Sequence, residues 1–133
     1  MKTLVKVIVA TLLLTVSVFG SYAKKDDKIA LKSRQIVENA TPDDWKALAE
    51  AAAICVKKKT NLTQAAEWLD KSLSIKTTAY NLEIKGDYML LSNLPQEAMS
   101  FYLKAMQTGL STESNFDVTA LQSKIAKLKN TKN

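Results

Sequence analysis

The chain has 133 residues, with 19 Lys and Arg against 13 Asp and Glu, a single cysteine and no histidine. One cysteine forms no internal disulfide, so the fold must rest on its apolar core. The lack of histidine removes the commonest general base, the commonest metal ligand and the Ser-His and Cys-His nucleophile pairs together.

All the basic residues except Arg34 are lysines, and they scatter along the chain. A nucleic-acid binder concentrates such charge in a stripe, often with arginine for bidentate contacts. No nucleic acid is therefore expected as a partner.

Residues 1–23 have the form of a secretory leader. Lys2 and Lys6 make a short positive start, and Val7 to Phe19 is an apolar run broken only by Thr11, Thr15 and Ser17. Ser21 and Ala23 place small residues three and one positions before a cut after Ala23. The run is shorter than the ~20 residues of a spanning helix, and hydrophilic Lys24 to Lys28 follows at once. The expectation is a cleaved signal, a protein that is secreted or periplasmic in a bacterial envelope, and no integral membrane span once the signal is removed. Lys2 and Lys6 leave with it, so the mature domain carries about +4. No cysteine near the cut suggests lipid modification.

The rest reads as helices in order. Ile29, Ser33, Ile36, Val37 and Ala40 recur at near-helical spacing and predict a short helix over about residues 29–39, within an N-terminal segment of residues 24–41. Thr41 as cap, Pro42 in the first turn, and Asp43 and Asp44 at the positive end of the dipole predict the next start. Trp45, Leu48, Ala49, Ala52 and Val56 then share one face, and Ala51 to Ala53 leave room for a close neighbour. Cys55 borders that face and reads as a small buried apolar residue. Lys57 to Lys59 suit a helix C-terminus.

Thr60 to Thr63 make a corner, with Asn61 and Gln64 at capping-box spacing. Ala65, Trp68, Leu69, Ser72 and Leu73 form the face of the following helix. Thr77 or Thr78 caps a third long helix carrying Tyr80, Leu82, Ile84, Gly86, Tyr88, Met89 and Leu91. Ser92 to Pro95 make a second corner, again with Asn93 and Gln96 at capping-box spacing. Ala98, Phe101, Tyr102, Ala105 and Met106 face inward from a fourth long helix that Gly109 is expected to stop in a left-handed conformation. After a polar loop over Ser111 to Asn115, Phe116, Ala120, Leu121, Ile125 and Leu128 trace a last amphipathic helix within residues 111–129. Its outer face carries Gln122, Ser123, Lys124, Lys127 and Lys129, as suits the end of a stack. Residues 130–133 read as a disordered tail. No stretch alternates with period two, so the class is all-α.

The two hairpins repeat. Asn61-Leu62-x-Gln64 matches Asn93-Leu94-x-Gln96, and Ala65, Trp68, Leu69, Lys71 and Ser72 match Ala98, Phe101, Tyr102, Lys104 and Ala105. The helix offset is 33 residues and the corner offset 32, which assigns one extra residue to the second corner. A period in this range marks a helix-hairpin solenoid.

On these residues the chain resembles the tetratricopeptide repeat family over residues 42–110, with 111–129 in the place of its capping helix. Gly86, Ala98, Tyr102 and Ala105 occupy the family's small and aromatic positions in the second unit. Leu82 stands for the large residue at the start of the first helix, and Met89 replaces an aromatic. Ala53, Ala65, Leu69 and Ser72 take the corresponding places in the first unit, where Ala49 replaces a bulky residue.

The resemblance implies antiparallel hairpins stacked as a short solenoid, with a concave groove for a peptide or partner helix. The groove positions it implies are Tyr80, Glu83, Asp87, Leu90 and Leu91 in the second unit. In the first they are Ala47, Glu50, Ile54, Lys57 and Lys58. The implied function is non-catalytic: a secreted or periplasmic protein–protein interaction module or assembly adaptor, with no cofactor and no metal. Two alternatives stand beside it. One is envelope-surface binding of anionic lipid or polymer through Lys24, Lys25 and Lys57 to Lys59. The other is a small enzyme using Glu83 and Asp87, whose i,i+4 spacing suits acid–base work or a divalent ion. Asn39-Ala40-Thr41 and Asn61-Leu62-Thr63 match the N-glycosylation pattern, but their Asn and Thr residues already have capping roles.

Overall fold

A computed structural model describes residues 27–130. Every regular element among them is helical: α1 over residues 27–38, α2 Trp45–Lys58, α3 Leu62–Ile75, α4 Ala79–Leu91, α5 Pro95–Thr112 and α6 Thr119–Asn130. The predicted leader, Lys24 and Lys25, and residues 131–133 of the predicted tail lie outside the described residues. Asn130, expected in the tail, closes α6.

α2 pairs with α3 and α4 with α5 as antiparallel hairpins. α4 also packs on both α2 and α3, and α6 packs on α5, so the hairpins stack and α6 follows the second.

The hairpins share their internal logic. Small residues at the crossings are fully buried: Ala65 and Ser72 on α3, Ala98 and Ala105 on α5. One large residue fills each middle, Leu69 in the first and Tyr102 in the second. At Gly86 a Cβ would stand 2.4 Å from a Tyr102 ring carbon, so the ring fills the space a side chain would need there.

α4 is apolar on two sides because it serves two cores. Ile84 joins the cluster of α2 and α3, while Leu82 joins that of α5 and α6. α1 covers the first cluster with Ile36 and Val37. It is tied down by the Cys55 thiol, which donates to Ser33 Oγ at 3.4 Å, and by Arg34 Nε, which donates to Gln64 Oε1 at 3.1 Å. Cys55 is fully buried, as expected. Leu121, Ile125 and Leu128 of α6 close the second cluster.

Polar bonds fix the joint between hairpins. Ser72 Oγ donates to the Trp45 carbonyl at 2.7 Å and accepts from Asn81 Nδ2 at 3.0 Å. Asn81 also donates to the Lys76 carbonyl at 2.7 Å. Its Oδ1 accepts from the Thr78 backbone N–H at 2.9 Å, completing a capping box in which Thr78, one of the two expected caps, is the cap residue.

Several local expectations are corrected. α2 starts at Asp44, not Thr41: residues 41–44 form a turn, and Asp44 Oδ1 accepts from the Ala47 N–H at 2.9 Å. Neither corner asparagine caps through its side chain. Asn61 and Asn93 both have positive φ, 50° and 59°, the left-handed region that asparagine tolerates. Asn93 ends α4 and the cap position of α5 falls to Leu94, with Pro95 in the first turn. Lys59, at φ 55°, ends α2 in the same way. The N–H groups of Thr60 and Leu94 then reach back five residues to Cys55 and Met89, the closing bond of a Schellman turn.

These two turns reset the repeat register. Lys59 and Asn93 are equivalent and 34 residues apart, whereas α3 and α5 begin 33 residues apart. The extra residue therefore sits in the first corner, not the second. Ala52, fully buried, is the counterpart of Gly86, while the predicted Ala53 is only half-buried. Finally, Gly109 stays helical and α5 runs on to Thr112. The missing side chain at Gly109 makes room for Phe116, whose ring carbons would lie 2.4 Å from a Cβ.

Candidate partner-binding cleft

α2 and α4 run side by side, and their outward faces enclose a cleft of about 460 Å³. Val56 and Ile84, both nearly buried, form its floor with the half-buried Ala53 and Leu91. Tyr80 and Leu90 stand on the rim, 41% and 43% exposed. Lys57, Glu83 and Asp87 complete the wall. An adjoining hollow shares Ala53, Lys57 and Tyr80 with the cleft and adds Ile36 of α1, Glu50 and Ile54.

All five positions expected on α4 (Tyr80, Glu83, Asp87, Leu90 and Leu91) line the one cleft. On α2 only Lys57 does so. Glu50 and Ile54 line the hollow, exposed Lys58 lines neither, and Ala47 is buried in the core. The miss follows from the register. A 34-residue offset carries Asp87, Leu90 and Leu91 onto Ala53, Val56 and Lys57, the three α2 residues that do line the cleft. An offset of 33 lands one residue too far along and rotates the reading by about 100° around the helix.

The acidic pair on α4 is engaged from within the chain. Lys124 Nζ lies 2.8 Å from Glu83 Oε1 and 2.7 Å from Asp87 Oδ1. The Tyr102 hydroxyl donates to the same Asp87 oxygen at 2.7 Å. The lysine ammonium also stands 5.4 Å from the centre of the Tyr102 ring, within cation–π range. Burial by itself would lower the Lys124 pKa, but the hydrogen bonds with Asp87 and Glu83 outweigh it and the pKa is raised. Burial, followed by the bond to Asp87, pushes the Tyr102 hydroxyl far above its usual range.

Lys124 was expected on the outer, solvated face of α6. It lies three residues after Leu121 and four before Leu128, both buried. That spacing puts it at the edge of the apolar face, which was the available signal for its inward turn.

Among the described residues, no group of three His, Cys, Asp or Glu side chains stands ready for a metal ion, and no helix is long and apolar enough to cross a membrane. Lys57 and Lys58 end α2 exposed, next to exposed Lys59. No protein-family model, no curated protein and no solved structure matches the chain.

Proposed function

We propose that this protein is a short interaction module of the tetratricopeptide type, exported from the cytoplasm of a bacterium, that holds a segment of another protein in the α2–α4 cleft and performs no chemistry. The observation that carries this reading is the cleft itself. It has an apolar floor of Val56 and Ile84, and two large side chains, Tyr80 and Leu90, left half in water on its rim. Such a concave apolar surface with a few charged groups around it suits a side chain from outside. The engagement of Glu83 and Asp87 by Lys124 and Tyr102 favours binding over acid–base work at that pair.

Peptides selected from a display library on the purified protein test the cleft. Leu90→Ala should weaken their binding about tenfold, as expected for a rim anchor. Leu103→Ala, an equally exposed leucine on α5, should leave it unchanged. Equal binding by both variants and the parent protein refutes the cleft as the binding surface. Export is tested separately: the N-terminus recovered from an envelope or culture fraction should begin at Lys24.

A further inference from the structure

Charge is distributed unevenly around the cleft. Tyr80 sits where α2 and α4 face each other, and its hydroxyl pKa is raised first by partial burial and then by the charges of Glu50 and Glu83. Glu50 of α2 shares the hollow with this half-exposed tyrosine, and Glu83 of α4 shares the cleft with it. One turn further along α4 the chain uses the same composition on itself. There Glu83, Asp87 and the Tyr102 ring hold the Lys124 ammonium.

The two groups share Glu83, which Lys124 holds, and differ at Glu50. Lys124 makes bonds of 2.7–2.8 Å. Among the described residues, the cation paired with Glu50 is Lys46 at 4.0 Å, with side chains 67% and 47% exposed, a contact that contributes little. The Glu50–Tyr80–Glu83 group, in which Glu83 also holds Lys124, thus presents an acidic and aromatic end beside an apolar floor, with Lys57 of the same lining two turns further along α2, on a chain whose formal net charge is +6.

Building on the cleft as the binding surface, we propose that its occupant is a partner-protein segment in which a lysine or arginine neighbours a large apolar side chain. The apolar side chain covers Ala53, Val56 and Ile84. The cation lies against Tyr80 between Glu50 and Glu83, as Lys124 lies against Tyr102 between Glu83 and Asp87. An acidic segment is drawn to the protein's lysines at large but is repelled at Glu50 and Glu83. Preference for a basic segment is therefore a property of this site and runs against the protein's overall charge. An exposed ion pair and a cation over an exposed ring each contribute a factor of a few, so together they make about tenfold.

Three synthetic peptides of one length test this. They share a central Leu-Phe pair and are flanked by lysine, glutamine or glutamate, and each is titrated onto the full chain by fluorescence anisotropy at physiological salt. The lysine peptide should bind about tenfold more tightly than the glutamine peptide, and the glutamate peptide most weakly. Glu50→Gln should cut the lysine peptide's advantage over the glutamine peptide to about threefold. Glu50 is exposed, so this variant keeps the fold; Glu83→Gln, which also loosens Lys124, serves as the second variant. Equal binding of the three peptides, tighter binding of the glutamate peptide, failure of the lysine peptide to bind, or a lysine advantage that survives both substitutions overturns the proposed partner chemistry. Peptide binding of any charge that ignores Leu90→Ala overturns the cleft reading instead.

Discussion

Gly86→Ala should destabilise the protein although alanine is the better helix former. In an open helix the exchange stabilises by about 0.5–1 kcal/mol. At this position the new Cβ would meet Tyr102 Cε1 at 2.4 Å and Cδ1 at 2.6 Å, where ordinary contact begins near 3.4 Å. The overlap is close to 1 Å, and the ring has little freedom to move. Tyr102 is 1% exposed, and its hydroxyl is bonded to Asp87, the residue after Gly86. Overpacking of a full core costs about 1–3 kcal/mol, and a rigid neighbour puts the cost near the top of that range. The net loss is then about 2 kcal/mol, or a fall in Tm of roughly 10 °C for a domain of this size. Urea and thermal unfolding followed by circular dichroism measure it. Tyr102→Leu should relieve part of the loss in the double variant, with a coupling of about 1 kcal/mol or more. A Gly86→Ala variant as stable as the parent, or additive with Tyr102→Leu, would show that α4 and α5 are not held by this contact.

Gly109→Ala should be far milder, within about 1 kcal/mol of the parent in urea unfolding. Phe116 has the same nominal overlap and packs at the edge of the second cluster, but it is half-buried and sits on the loop before α6, where a small shift of the ring costs less than at Tyr102. Asn81→Ala should cost about 3 kcal/mol in the same assay, because one buried side chain completes the α4 capping box and bonds both Ser72 and the Lys76 carbonyl. Tyr102→Phe should cost about 1 kcal/mol at neutral pH and alter the alkaline limb of the stability profile. Both Tyr102 and Lys124 have raised pKa values in the folded state, so their contribution is complete below the unfolded values of about 10 to 10.4 and is lost as pH rises beyond them. Urea midpoints between about pH 9 and pH 12 should therefore fall less steeply in Tyr102→Phe than in the parent.

What made the helices legible in advance was apolar spacing, and spacing survives small local errors. Leu121, Ile125 and Leu128 had to share a face wherever α6 began, and all three are buried. Helix ends depend on single residues, and there the competing groups are too similar to separate by residue type alone. Thr41 and Asp44 both cap well; the turn over residues 41–44 places Asp44 at the start, where its carboxylate reaches the Ala47 N–H. Gly109 suits a helix stop as well as a close contact, and Phe116 decides between them from seven residues away. Lys59 carries no mark of a left-handed residue, because its conformation follows from the Schellman bond closing α2 rather than from its side chain.

The candidate cleft shows how one such end propagates into a functional reading. The 33-residue offset holds between α3 and α5, but carrying it back across the corner onto α2 misses the extra residue there. That slip moves the reading of α2 by one residue, so that Asp87, Leu90 and Leu91 are matched to Ile54, Lys57 and Lys58 instead of the cleft-lining Ala53, Val56 and Lys57. On α4 no transfer between repeats was needed, and all five expected residues line the cleft. The electrostatics were beyond any local pattern. Whether Glu83 and Asp87 face a partner or are neutralised depends on Lys124, 37 residues after Asp87 and carried by a different helix. Once that lysine is placed, the carboxylate left most open to an incoming chain is Glu50, which lines one hollow with Tyr80. The specificity of the cleft should therefore respond more to Glu50→Gln than to Asp87→Asn, although Asp87 has the shorter ion pair.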